Sequence, residues 1–132
     1  MPNSLGHKAF RLIPALVWLL IVIVALLTPG NNLPKVPLFP HADKLVHLGV
    51  FAVLTFFWCR VGTINEKGEL KIVNLTTNLL VFSIIIPILL EYLQAFVPNR
   101  SFEFGDIVAN LLGGLIGFSG FIILYKAKHP LV

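Results

Sequence analysis

Four apolar runs, each long enough to cross a bilayer, take up most of this chain of 132 residues. A hydrocarbon core about 30 Å thick needs roughly 20 residues at the 1.5 Å rise of an α-helix. Lipid offers no partner to a backbone N–H or C=O, so each unbroken apolar run must satisfy its own groups as a helix. The runs predict helices over residues 12–27, 43–61, 72–96 and 106–125. The second has a wholly apolar part, Leu48–Cys59, that is too short to span alone. It must therefore begin near Asp43, which brings Asp43, Lys44 and His47 into its first turns.

Prolines mark the remaining shape. Pro14 falls in the first turn of the first helix, where a missing N–H is tolerated. Pro87 lies inside the third and should kink or loosen it. Pro29, Pro34, Pro37 and Pro40 favour an extended connection, with Leu33, Val36, Leu38 and Phe39 as apolar points for a strap along the membrane surface. No convincing small-residue cleavage site follows the first helix, so it reads as an uncleaved span. With 57% hydrophobic and 12% charged residues, no soluble domain of useful size is left. The expected fold is all-α: one integral membrane domain over residues 1–132, an antiparallel bundle of four transmembrane helices. The net charge of +4 does not indicate nucleic-acid binding, because the positive residues gather at helix ends rather than along a polar face. The single cysteine, Cys59, reads as a small buried or lipid-facing hydrophobe.

Charge also orients the chain. Lys8, Arg11, Arg60, Lys67, Lys71, Lys126 and Lys128 fall on one side, and Lys35, Lys44 and Arg100 on the other. The positive-inside rule then puts both termini and the 62–71 loop in the cytoplasm, with the other two loops outside.

On that topology the polar residues converge. Asp43 and His47 share a face at the outer end of the second helix. Glu91 and Gln94 lie near the outer end of the third, and Asp106 and Asn110 at the outer start of the fourth. Arg100 is in the loop between them. Ionisable groups inside such segments are costly and need partners. The expectation is a polar pocket open to the outside, with Glu91 paired to Arg100, Lys44 or His47. Each residue also has a plainer role. Asp106 would cap the fourth helix, Asn110 would join helices, His47 would be a satisfied core histidine, and Lys44 would snorkel to the headgroups. Asn110, Gly113, Gly114, Gly117 and Gly120 form a small-residue stripe. It suits packing within the bundle, or a homodimer seam through Gly113, Gly117 and Gly120.

These residues resemble the VanZ-like family of small bacterial membrane proteins. The match runs through Asp43-Lys44-x-x-His47-x-x-x-Phe51, Glu91-x-x-Gln94, Pro98-x-Arg100 and Asp106-x-x-x-Asn110-x-x-Gly113, over roughly residues 43–121. The resemblance implies a multi-pass protein of the bacterial cytoplasmic membrane with a role in the cell envelope. No reaction is firmly assigned to the family.

Three function classes compete. In the first, the pocket binds or processes an anionic envelope lipid, such as a polyprenyl phosphate, or a glycan precursor. His47, Glu91 and Asp106 are then the candidate acid–base residues, and Asp43, Lys44, Gln94, Arg100 and Asn110 the binding residues. In the second, the polar network only braces the helices of a structural or partner-binding protein. The third, a transporter or channel, ranks last, because the cytoplasmic half of the bundle looks dry. The same acids and His47 offer hard oxygen and nitrogen ligands for a divalent metal, but their spacing is unspecific, so no metal ligand is assigned and the cofactor is left open.

Overall fold

A computed structural model describes residues 4–33 and 39–132. The described residues are helical apart from connecting loops and an isolated bridge between Ile64 and Leu70. The helices are α1 (Ser4–Leu27), α2 (Ala42–Cys59), α3 (Ile72–Gln94) and α4 (Phe104–Lys126). All four are long and apolar enough to cross a membrane. Large apolar side chains such as Ile13, Leu20, Val24, Val73 and Leu115 point outward. In water that surface would be a liability; in lipid it is the solvent-facing side.

The helix ends differ from the sequence-based bounds in instructive ways. α1 begins at Ser4, so Pro14 lies well inside it rather than in its first turn. α3 stays continuous past Pro87 by widening into a π-helical stretch at Leu80–Ile85 just before it. That accommodates a ring with no N–H to give and no room for the preceding turn's carbonyl. Much of the proline-rich connection, Val36 and Leu38 included, lies outside the described residues; Gly30–Asn32 within it forms a 3-10 turn.

α2 and α4 form the most intimate pair. A Cβ added at Gly113 would overlap the carbonyl of Leu48, and one at Gly117 would overlap that of Ala52. Gly114 packs on Ser83 of α3, whose hydroxyl pairs with Thr55 of α2 at 3.1 Å. The glycine face is thus taken up within the chain, and a seam between copies finds no free face at Gly113 or Gly117. α1 packs on α2 through Val22, Leu26, Phe51 and Leu54, with Trp18 Nε1 donating to the Val50 carbonyl at 3.0 Å. Cys59 is buried beside Leu75 and Phe121. Arg60, at the end of α2, is also buried, with its guanidinium over the rings of Phe10, Phe56 and Phe57 at 5.4 to 5.9 Å. Asn78 of α3 donates to the Trp58 and Val61 carbonyls and so closes the C-terminus of α2.

Candidate functional site

The antiparallel path brings the end of α1, the start of α2, the end of α3 and the start of α4 to one end of the bundle. Two polar groupings form there. The sequence does not separate them.

The first is a clamp on α1. A helix C-terminus leaves carbonyls without partners. Arg100 takes two of them: its Nε donates to Thr28 O at 3.3 Å and its Nη2 to Ala25 O at 3.1 Å. Gln94 Nε2 donates to Leu26 O at 3.1 Å, and the Gly30 N–H donates to Pro98 O at 3.1 Å. Gly30 also packs so closely on the Asn99 carbonyl that a Cβ would overlap it. Gln94 and Arg100, grouped from sequence with the binding pocket, are therefore brought to the α1 terminus. Arg100 does not pair with Glu91. We expect Arg100→Ala to cost about 1–2 kcal/mol, the scale of a charge-assisted bond with partly exposed partners. The check is a lower thermal midpoint in detergent with faster proteolysis of the α1–α2 connection.

The second grouping is a buried ionisable cluster. His47, Glu91, Asp106 and Asn110 retain 6%, 1%, 6% and 0% of their exposure. Instead of lining an open pocket, they lie closed beneath Lys44 and Glu103. His47 Nδ1 is 2.9 Å from Asn110 Oδ1, and its Nε2 faces Asp106 Oδ2 at 3.7 Å. Glu91 Oε1 accepts the Glu103 N–H at 3.0 Å, while its Oε2 is buried with no hydrogen-bond partner. Lys44 lies over the cluster with 27% of its side chain exposed. Its Nζ contacts Asp106 Oδ1 at 2.9 Å, Glu103 Oε2 at 2.8 Å and Asp43 Oδ2 at 3.2 Å. Asp43 is more than half exposed and pairs with Lys44 rather than with His47.

Asp106 is not the cap of α4. Glu103 holds that position, and Asp106 lies in the first turn, where the helix dipole still favours an anion. Glu103 is the residue the sequence reading missed. Glu103 makes no side-chain cap bond, so it carried no capping signal, and starting the helix at Asp106 left it in the loop.

Beside Lys44, between α2 and α4, runs a shallow groove of about 400 Å³. Its walls are largely apolar, formed by Leu45, Leu48, Val108, Ala109 and Leu112, with Phe39, His41 and Lys44 at its head. An apolar channel with a cation at its head suits an amphiphile better than a water-soluble solute.

Comparison with known proteins agrees with this architecture. The family model described as VanZ/LLP1 matches residues 4–125. The chain belongs to the VanZ/LLP1 family. As a member of that family with four apolar helices of spanning length, it is a multi-pass membrane protein. An uncharacterised protein of the fission yeast Schizosaccharomyces pombe is 29% identical over 130 residues, covering 97% of this chain and 74% of the yeast protein. No solved structure matches. Set on this VanZ/LLP1 chain, the motif residues divide by task. Gln94, Pro98 and Arg100 hold α1; Lys44, His47, Glu91, Asp106 and Asn110 build the cluster; Gly113 lets α2 approach.

Proposed function

We propose that this VanZ/LLP1 protein binds or processes a membrane lipid with a phosphorylated or glycosylated headgroup. The observation that carries the reading is the apolar α2/α4 groove headed by Lys44, whose Nζ contacts Asp106 of the buried His47–Glu91–Asp106 cluster, with a Glu91 oxygen left without a partner. A buried, unpaired carboxylate oxygen is costly, and function is a common reason for keeping one. The lipid chain lies along Leu45, Leu48, Val108 and Leu112, and Lys44 meets the headgroup. Lys44, with 27% of its side chain exposed, exchanges one of its three carboxylate partners for the ligand. His47, Glu91 and Asp106 act on the headgroup, and Asn110 orients His47. The positive-inside distribution supports placing this end at the outer leaflet. The family resemblance supports a role at the bacterial cytoplasmic membrane and in the cell envelope. The fission-yeast relative favours a lipid type common to bacteria and fungi, such as a polyprenyl phosphate.

The test is mass spectrometry of lipids that co-purify in mild detergent, comparing wild type with Glu91→Gln and Lys44→Met at matched folding. A lipid enriched over its bulk abundance in wild type, and lost in both variants, is expected. One lipid profile in all three proteins favours the alternative, in which the cluster only braces the helices as the Arg100 clamp does.

A further inference from the structure

We propose that His47, Glu91 and Asp106 form a binding site for a divalent transition cation, zinc or manganese. One ligand atom from each lies within 4.8 Å of the other two, and all three residues are buried. Oxygen and nitrogen ligands about 2.1 Å from one ion stand about 3–4 Å apart, so small side-chain rotations close the set. Two carboxylates with one imidazole match zinc and manganese better than a soft or large cation.

The stronger argument is how each ligand is held. Each of the three uses one atom on a positioning partner and leaves its other atom toward the shared space. His47 meets Asn110 through Nδ1, which leaves Nε2. Glu91 accepts the Glu103 N–H at Oε1, which leaves the partnerless Oε2. Asp106 receives Lys44 at Oδ1, which leaves Oδ2, 3.7 Å from His47 Nε2. A histidine whose other nitrogen is fixed by a carbonyl oxygen, beside oriented carboxylates, is the second-shell pattern of metal sites. With Nδ1 donating to the Asn110 oxygen, the lone pair of Nε2 faces Asp106 Oδ2. Lone pairs converging in a buried space repel unless something positive lies between them.

Charge balance points the same way. Asp43, Glu91, Glu103 and Asp106 surround Lys44 and His47. Asp43 and Glu103 reach solvent, so the buried charges are those of Glu91 and Asp106. With His47 neutral, as a ligand must be, a divalent ion would balance these two carboxylates. The ion also makes an acidic cluster receptive to an anionic headgroup, which the carboxylates alone would repel. The sequence assigned no metal ligand because three residues from three helices have no recognisable spacing. Only the antiparallel packing unites them.

The proposal rests on the site reading above but not on its lipid. The experiment purifies the protein through a tag without histidine and measures bound metals by elemental mass spectrometry. Chelator-treated protein is then titrated with zinc or manganese and followed by thermal shift. About one equivalent of metal per folded wild-type chain is expected. Glu91→Gln and Asp106→Asn, both close in shape, should hold less than about a tenth of that and lose the thermal shift. Arg100→Ala should keep its metal. Folded wild type that holds no metal and shows no shift overturns the proposal, as does metal retained by both cluster variants. A lipid lost in Glu91→Gln from a protein that never binds metal would sink this inference and leave the lipid reading standing. Stoichiometric metal without an enriched lipid would do the reverse.

Discussion

Gly117→Ala is expected to destabilise the protein although alanine is the better helix former. In an exposed helix interior, the exchange gains about 1 kcal/mol from backbone entropy. Here the new Cβ meets the Ala52 carbonyl of α2, a rigid backbone group rather than the end of a flexible side chain. Separating two helices against such a contact costs about 3 kcal/mol, so overpacking wins. Gly113→Ala, which meets the Leu48 carbonyl, should behave alike, and leucine at either position should prevent accumulation. The sign reverses elsewhere. A Cβ at Gly49 has open space, and one at Gly120 only ordinary contact with Phe56 at 3.9 Å. Both alanine variants there should be neutral or slightly stabilising. Thermal midpoints in detergent for the four single variants check this. Four equal midpoints would mean that α2 and α4 are not packed this closely.

Lys44→Met should lower stability by about 2 kcal/mol and disturb the cluster beneath it. Removing one partner of a buried ion pair typically costs about 3–5 kcal/mol. Lys44 keeps 27% of its side chain exposed, and Asp43 and Glu103 reach solvent, so solvent offsets part of that loss. Asp106, at 8% exposure, loses its main cationic partner and carries most of the cost. Adding Asp106→Asn to Lys44→Met should recover much of the stability, because no unpaired charge is left buried. Chemical denaturation of the two single variants and the double variant measures this coupling. Additive losses would show that Lys44 and Asp106 act separately.

The spans were legible because lipid imposes one rule on every residue of a segment, and hydropathy reports it directly. Helix ends were less so. Lys8 and Arg11 look like a polar tail, yet nothing in them stops a helix, and α1 begins at Ser4. The polar residues could be assigned to one end of the bundle, since antiparallel spans fix depth. Which of them touch could not be read. Arg100 sits in a loop from which it can reach either the carboxylates or the end of α1, and the docking of Gly30 on Pro98 and Asn99 decides for α1. Uncapped helix C-termini are a regular demand on nearby arginines. Weighing that demand would have raised the clamp from sequence alone. Glu103 escaped notice for a smaller reason, a helix start misplaced by two residues.

The central claim is that the His47–Glu91–Asp106 cluster is a working site rather than a brace, and the thermal midpoint of Glu91→Gln in chelator tests it most directly. Glutamine keeps the Oε1 bond to the Glu103 N–H. Its amide removes the charge from the buried position where Glu91 Oε2 has no partner. A residue kept for function at a cost in stability should therefore give a variant as stable as wild type, or more so. A Glu91→Gln protein that melts clearly below wild type would contradict the account and assign Glu91 to bracing.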